Sequence, residues 1–363
     1  MASTGFPTTI EEVTPAWLTQ VLRDSGDLPH GEVTGLEVEL IGQGVGILGL
    51  LHRVTPRYSD GATSAPVSLV VKLPVQHEHT RFLTKTFMFY EKEVGFYRDA
   101  AADSPLGTPR CLAAHYAPDT DDFVLVLEDL GGSEVYSQID GCPITQAEYA
   151  IDALAAHHVA FWNSPRFETD LAWIPQGWDP PMPQGVEAGV AAAWPICLEV
   201  FGDRISDRVR AVGDRFASVT TELMEFTEAP ATLAHGDFRL DNLFFDGSEL
   251  TVIDWQICVR TSGAYDLGYF LSQSLTVEDR RAHEKALIER YRRVLAAAGI
   301  DYPADELWDH YRRAVLFCLC YPIQSAGGVE LVNERAVQLV SDMFDRVCAA
   351  IEDLDADELM PSL

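Results

Sequence analysis

The chain of 363 residues is long enough for two modest domains. Its 47% apolar and 23% charged residues are globular values that exclude a disordered, collagenous or coiled-coil chain. Fifty-six acidic residues against 26 basic ones leave a net charge of −30, a balance that speaks against nucleic acid and anionic lipid as partners. The sequence has no uninterrupted apolar run of about 18 residues, so no membrane span is expected. Met1–Gly5 lacks the basic-then-apolar opening of a secretion signal.

Seven scattered cysteines form no CxxC pair, and Cys318-Leu319-Cys320 has no histidines at zinc spacing. Reduced thiols in a cytoplasmic protein are the expectation. Only four lysines occur, Lys72, Lys85, Lys92 and Lys285, which makes each one worth placing.

The first predicted element is a helix. Thr14 is a cap, Pro15 suits the first helical position, and Trp17, Leu18, Val21 and Leu22 form its apolar stripe. Strands are predicted over 33–41, 47–54 and 67–73, with the glycine-rich turn Gly42-Gln43-Gly44-Val45-Gly46 between the first two. A long helix follows over about 80–102, then paired strands over 111–116 and 123–127 around the turn Pro118-Asp119-Thr120-Asp121. After Glu128-Asp129-Leu130-Gly131-Gly132 the pattern turns helical, at about 145–163, 203–227, 263–275, 277–298, 305–321 and 330–353, with Gly299 as a helix stop. One β island interrupts it, Leu243–Phe245 and Leu250–Ile253 around Asp246-Gly247. Ser164–Pro195, with Trp173, Trp178 and Trp194 among its prolines, reads as a long covering loop. The expected architecture is α+β and bilobal. A β-rich part with one long helix spans 1–129, and a mainly helical part spans 130–363.

The strongest local signal is His235-Gly236-Asp237-Phe238-Arg239-Leu240-Asp241-Asn242, followed by the hairpin and Ile253-Asp254-Trp255. An Asp and an Asn five apart, with a tight hairpin leading to a second Asp, can gather three oxygen-bearing side chains. Carboxylate and amide oxygens suit Mg²⁺, which binds phosphate, and a carboxylate beside them can orient a hydroxyl. Lys72 ends an apolar strand, where an unpaired charge would be costly. Glu93 and Glu91 on the next helix are the rival partners.

The glycine run resembles a dinucleotide fingerprint only superficially, since a strand rather than a helix follows it. A β-turn-β phosphate flap or an ordinary hairpin fits better. His157-His158 lies in an apolar helix and reads as packed core. No Gly-x-Ser-x-Gly elbow or Cys/His nucleophile pattern is present.

The HGDxxxxN loop with its downstream Asp resembles the aminoglycoside phosphotransferase-like and choline-kinase-like small-molecule kinases, which share the protein-kinase-like fold. The order of motifs along nearly the whole chain agrees with that resemblance. It implies Asp237 as the catalytic base and Asn242 and Asp254 as Mg²⁺ ligands. It also implies Lys72 on the α- and β-phosphates, with Glu93 as its helix partner. Gly44 and Gly46 would belong to the phosphate flap. Glu128 and Leu130 would flank the hinge whose backbone meets the nucleotide base.

Arg239 stands where protein kinases carry a phosphate-contacting Lys, and a salt bridge is the alternative. Asp266 resembles an Asp that braces the catalytic loop. The implied cofactors are ATP or GTP with Mg²⁺. The implied partner is a small molecule bearing the accepting hydroxyl, cationic or aromatic-stacking if the tryptophan-rich stretch faces it. The competing reading is a kinase-fold protein that binds a nucleotide or ligand without transfer. A protein kinase fits less well, because no Arg precedes Asp237 and few residues separate Trp255 from Gly263.

Overall fold

The computed structural model describes residues 5–42, 48–61, 65–226, 229–328 and 334–361. Gly44 and Gly46 lie outside them. The chain divides into two compact units, Met1–Ala102 with Thr108–Gly132, and Asp103–Gly107 with Ser133–Leu363.

The first unit holds α1 (Pro15–Asp24), β1 (Val33–Ile41), β2 (Gly49–Tyr58), β3 (Leu69–Pro74), α2 (Glu78–Thr86), α3 (Phe89–Gly95), β4 (Cys111–Ala117) and β5 (Asp122–Glu128). Its five strands form one antiparallel sheet in the order β1-β2-β3-β5-β4. Strand alternation gives that sheet two different faces. Val54, Val71, Leu73, Val124 and Val126 project to one face and form a core with Leu18, Val21 and Leu22 of α1. Lys72, opposite Leu51 and Leu125, projects to the other. α1 starts as its sequence dictates, with the Thr14 side chain accepting from the Trp17 amide at 3.2 Å and Pro15 at its first position.

The second unit holds β6 (Glu134–Val135), α4 (Ile144–Ala160), α5 (Met182–Phe201), α6 (Asp207–Phe216), α7 (Thr220–Met224), β7 (Ala231–Ala234), β8 (Leu243–Asp246), β9 (Glu249–Val252) and β10 (Val259–Ser262). α8 (Ala264–Gln273), α9 (Val277–Ala297), α10 (Ala304–Phe317), α11 (Cys320–Gly328) and α12 (Glu334–Asp353) follow. Two small sheets, β10-β7 and β6-β8-β9, sit among the helices. α8 lies so close to α10 that a Cβ on Gly268 would stand 2.6 Å from the Ala314 Cβ.

The α+β class read from the sequence holds, with corrections to individual elements. The single helix over about 80–102 is broken, since Met88 adopts a left-handed φ of 57° between α2 and α3, and a π turn and a 3₁₀ turn follow α3. The helix expected over 203–227 is two helices, and the one over 305–321 ends at Phe317 before α11 begins. β6, β7 and β10 have two to four residues each and were not predicted.

The largest correction concerns Ser164–Pro195. It contains the start of the 20-residue helix α5. Its prolines mimic loop punctuation, yet Pro183 lies in the first turn, where no amide donor is lost. Val190, Ala193, Trp194, Cys197 and Phe201 recur at helical spacing and are buried. Trp194 is core rather than wall, 7% exposed with its Nε1 donating to Asp214 at 2.8 Å. Met182–Arg204 is also the one helix among the described residues that is long and apolar enough to cross a membrane by length and composition.

All seven cysteines are free, and Cys197, Cys258, Cys318 and Cys320 are buried. The two adjacent histidines are core, as read. His157 is fully buried, with Nδ1 2.8 Å from the Ser104 hydroxyl and Nε2 2.9 Å from the Leu233 carbonyl. A carbonyl only accepts, so Nε2 carries the proton.

Burial, with His158 beside it, lowers the His157 pKa to about 3. Between pH 6.5 and 3 the unfolded chain therefore binds a proton that the folded chain refuses. Stability is full above pH 6.5 and falls on acidification by about 1.4 kcal/mol per pH unit. Urea unfolding across that range should show this slope, and His157→Gln should flatten it by about one proton. An equally steep slope in the variant would contradict the assignment.

Candidate active site

The loop after β7 is built by alternation. Phe238, Leu240 and Asn242 are buried, while Asp237, Arg239 and Asp241 between them are only partly so. Phe238 anchors the loop against Phe270, ring centroids 5.5 Å apart. Gly236 holds φ at +88°, and a Cβ there would lie 2.4 Å from the Ile257 carbonyl oxygen, so this position requires glycine.

Two buried acceptors fasten the loop to the helices. Asp266, at the start of α8, accepts the His235 amide at 2.7 Å and the Gly236 amide at 2.9 Å. His158 Nε2 donates to the same carboxylate at 3.2 Å, while its Nδ1 meets the Tyr291 hydroxyl at 2.8 Å. Burial alone would raise the Asp266 carboxyl, but His158 and the loop amides reverse that and hold it below the usual range. Gln138, fully buried, accepts the Leu240 amide at 3.0 Å. Its own carbonyl is held by Arg346, which also donates to the Gln273 carbonyl at 2.9 Å.

The β8–β9 hairpin closes the site. Its register, Leu243↔Val252 to Asp246↔Glu249, brings Asn242 beside Ile253, whose amide donates to the Asn242 carbonyl at 3.1 Å. His235 Nε2 donates to the Ile253 carbonyl at 2.9 Å, and its Nδ1 accepts the Asp237 amide at 3.1 Å, which fixes the tautomer. Asp254 follows at a left-handed φ of +67°, an uncommon conformation for a residue with a side chain, and accepts the Gln256 amide at 3.3 Å.

The Asp237 carboxylate is thus surrounded by donors. Arg239 Nε reaches its two oxygens at 3.1 and 3.2 Å, and Asn242 Nδ2 reaches Oδ2 at 2.9 Å. Arg239 also donates to Asp241 at 2.7 Å. Desolvation pushes the Asp237 carboxyl upward, but the Arg239 charge, helped by the hydrogen bond from Asn242, more than offsets it. The group lies below the ordinary carboxylate value and is ionised at neutral pH. Desolvation works against the Arg239 charge, but the Asp237 carboxylate beside it more than offsets that and raises the Arg239 pKa. Of the two alternatives for Arg239, the structure records the ion pair, with Asp237 and Asp241.

The donor set fits a hard cation. Asn242 Nδ2 is committed to Asp237, which would leave its Oδ1 to face a cation, and Asp254 would add a carboxylate beside Ile253. No cluster of three or more His, Cys, Asp or Glu suited to a metal occurs among the described residues.

In the first unit, Lys72 and Glu93 form a buried pair, Nζ 2.8 Å from both carboxylate oxygens, with exposures of 6% and 1%. Of the two glutamates considered, the structure pairs Lys72 with Glu93. Removing one member of a buried pair strands the other charge. Lys72→Met should therefore cost about 3–5 kcal/mol in denaturant unfolding, and Lys72→Met with Glu93→Leu should recover most of it. A double variant as unstable as the single one would contradict this.

Glu128 is exposed and accepts the Arg110 amide at 3.2 Å, and Leu130 is half-buried. Between them Asp129 pairs with Arg53 at 2.8 Å and accepts the Gly131 amide at 3.1 Å, which shapes the turn. Sequence reasoning missed Gln138, Arg346 and Gln256, which carry no local signal.

Comparison with known proteins agrees with the resemblance carried by the catalytic loop. Residues 190–300 match the model of the ecdysteroid kinase-like family, under a third of the chain. A search of the curated proteins finds no match. Solved structures match over almost the whole chain. A putative aminoglycoside phosphotransferase from Ralstonia eutropha aligns at 14% identity and TM-score 0.56, over 95% of this chain and 98% of that one. A choline kinase from Cryptosporidium parvum aligns at 11% identity and TM-score 0.54, over 93% and 96%. The GDP complex of wild-type aminoglycoside 2′-phosphotransferase-IIIa aligns at 13% identity and TM-score 0.53, over 93% and 99%. The chain has the protein-kinase-like fold of these phosphotransferases.

Proposed function

We propose that this chain, with the fold of aminoglycoside phosphotransferases and choline kinases, is a small-molecule kinase that moves the γ-phosphate of a nucleoside triphosphate to a hydroxyl. The observation that carries the reading is the ionised Asp237 carboxylate, clamped by Arg239 and Asn242 on a loop that Asp266 fastens through two backbone amides. A carboxylate so held can accept and orient a hydroxyl proton. In a loose phosphoryl-transfer transition state, such orientation and charge stabilisation supply most of the rate.

The first unit is assigned to the nucleotide. Lys72, aligned by Glu93, takes the α- and β-phosphates, with Gly44 and Gly46 in the phosphate flap and the backbone of Glu128–Leu130 at the base. Asn242 and Asp254 are assigned to Mg²⁺, which when bound neutralises phosphate charge. Asp237 aligns the acceptor and Arg239 is available to the transferred phosphate. ATP is the first choice of donor. The GDP held by one structural neighbour makes GTP the second to test.

The acceptor is assigned to the second unit as a small hydroxylated molecule, with a cationic group or an aromatic-stacking body. The acidic surface and the half-buried Trp173 and Trp178 support that choice.

The test is nucleotide consumption with Mg²⁺ across aminoglycosides, amino alcohols, sugars and hydroxylated lipophiles. Turnover with one acceptor class is expected. Tight nucleotide binding with no transfer to any acceptor would favour the binding-protein alternative.

A further inference from the structure

Within the kinase reading, we propose that Tyr321 of α11 is a positioning residue for the base Asp237, acting through the Gly236-Asp237 peptide. That peptide unit is gripped at both ends. Its carbonyl accepts from the Tyr321 hydroxyl at 3.2 Å, and its amide donates to His235 Nδ1 at 3.1 Å. A peptide unit is planar, so holding its oxygen and its nitrogen together fixes its rotation. That sets ψ of Gly236 and φ of Asp237, and with them the direction in which the Asp237 side chain leaves the backbone.

The need for such a hold comes from the glycine, which restrains its own backbone less than any other residue. Asp266 holds the two peptide units before it, through the His235 and Gly236 amides. Tyr321 completes the series at the unit that ends on the base. Tyr321 is itself well fixed. Its ring lies flat on Tyr269, centroids 4.3 Å apart and planes 7° from parallel, and stands edge-on to Phe317. Its hydroxyl meets that of Tyr265. Since a carbonyl only accepts, the Tyr321 proton points to Gly236 and the Tyr265 proton to Tyr321, a chain in which each bond polarises the next. Tyr265 and Tyr269 stand four apart on α8, so one face of that helix carries both contacts.

Tyr321→Phe keeps the stack and removes the donor. It should lower kcat about tenfold, the weight of one hydrogen bond, and leave KM for the nucleotide unchanged. Tyr265→Phe leaves the Tyr321 donor in place and should cost less. A residue that only packed its helix would lower the melting temperature and leave kcat alone.

A readout free of catalysis is the Gly236 carbonyl carbon. Protein made with [1-¹³C]glycine and [¹⁵N]aspartate gives an HNCO signal only for Gly-Asp peptides, which occur at Gly26-Asp27, Gly202-Asp203, Gly213-Asp214 and Gly236-Asp237. The last is assigned by its loss in Asp237→Asn. In Tyr321→Phe its carbonyl shift should move while the others stay in place. If Tyr321→Phe fails to fold, Tyr265→Phe decides by the same signal, which should again move alone. A Tyr321→Phe with wild-type kcat, a loss that falls on nucleotide KM instead, or a Gly236 signal that stays in place would each overturn the role. A wild type inactive with every acceptor would remove the kinase reading and the positioning role together. An active wild type beside an equally active Tyr321→Phe would remove the positioning role only.

Discussion

Asp237→Asn is expected to lower kcat by about 10²–10⁴, the usual range for loss of a general base, while the protein stays folded. The substitution preserves shape but replaces an acceptor pair with an amide that can no longer take a hydroxyl proton. Stability should survive because the loop does not depend on Asp237. Phe238 and Leu240 remain buried, Asp266 still holds the His235 and Gly236 amides, and Arg239 keeps its 2.7 Å contact with Asp241. Steady-state kinetics beside a melting curve separates the two effects. A variant with a tenth or more of wild-type kcat would rule out Asp237 as the base.

Asp266→Ala should be the most destabilising single change near the site. It removes the acceptor for two buried loop amides and for His158 Nε2. A buried donor left without a partner costs about 1–3 kcal/mol, so a loss of about 3–5 kcal/mol is expected once partial relaxation is allowed. Because those amides belong to the residues just before Asp237, kcat should fall as well, even where the protein remains folded. Asp266→Asn should be intermediate, since one amide oxygen can still accept while its NH₂ meets donors. Denaturant unfolding of the three proteins orders them. Wild-type stability in Asp266→Ala would show that the loop is held elsewhere.

The sequence made the loop around Asp237 legible as a local unit because its residues are close in the chain. His235 to Asn242 and the hairpin to Asp254 form one local unit, whose register follows from a two-residue turn. Lys72 and Glu93 were legible for another reason. A lysine closing an apolar strand demands a partner, and the next helix offered two candidates, of which burial selected Glu93.

What supports the loop was not legible. Gln138, Arg346 and Tyr321 meet it from far along the chain, and neutral or carbonyl-bonded side chains leave no charge pattern to follow. The helix α5 was hidden because proline signals a loop locally but is tolerated in a first turn, and because tertiary packing of Val190, Trp194 and Phe201 outweighs that signal. The break at Met88 depends on a left-handed residue that its side chain does not favour, so nothing in the local sequence announced it.

The most direct test of the central claim is ³¹P NMR of the wild type with Mg²⁺, nucleoside triphosphate and each acceptor class, beside Asp237→Asn. The kinase reading predicts a phosphomonoester resonance that grows as the γ-phosphate signal falls, with one acceptor class and only in the wild type. Contradiction would come from a γ-phosphate signal that never falls with any acceptor, or from a phosphomonoester formed as fast by Asp237→Asn.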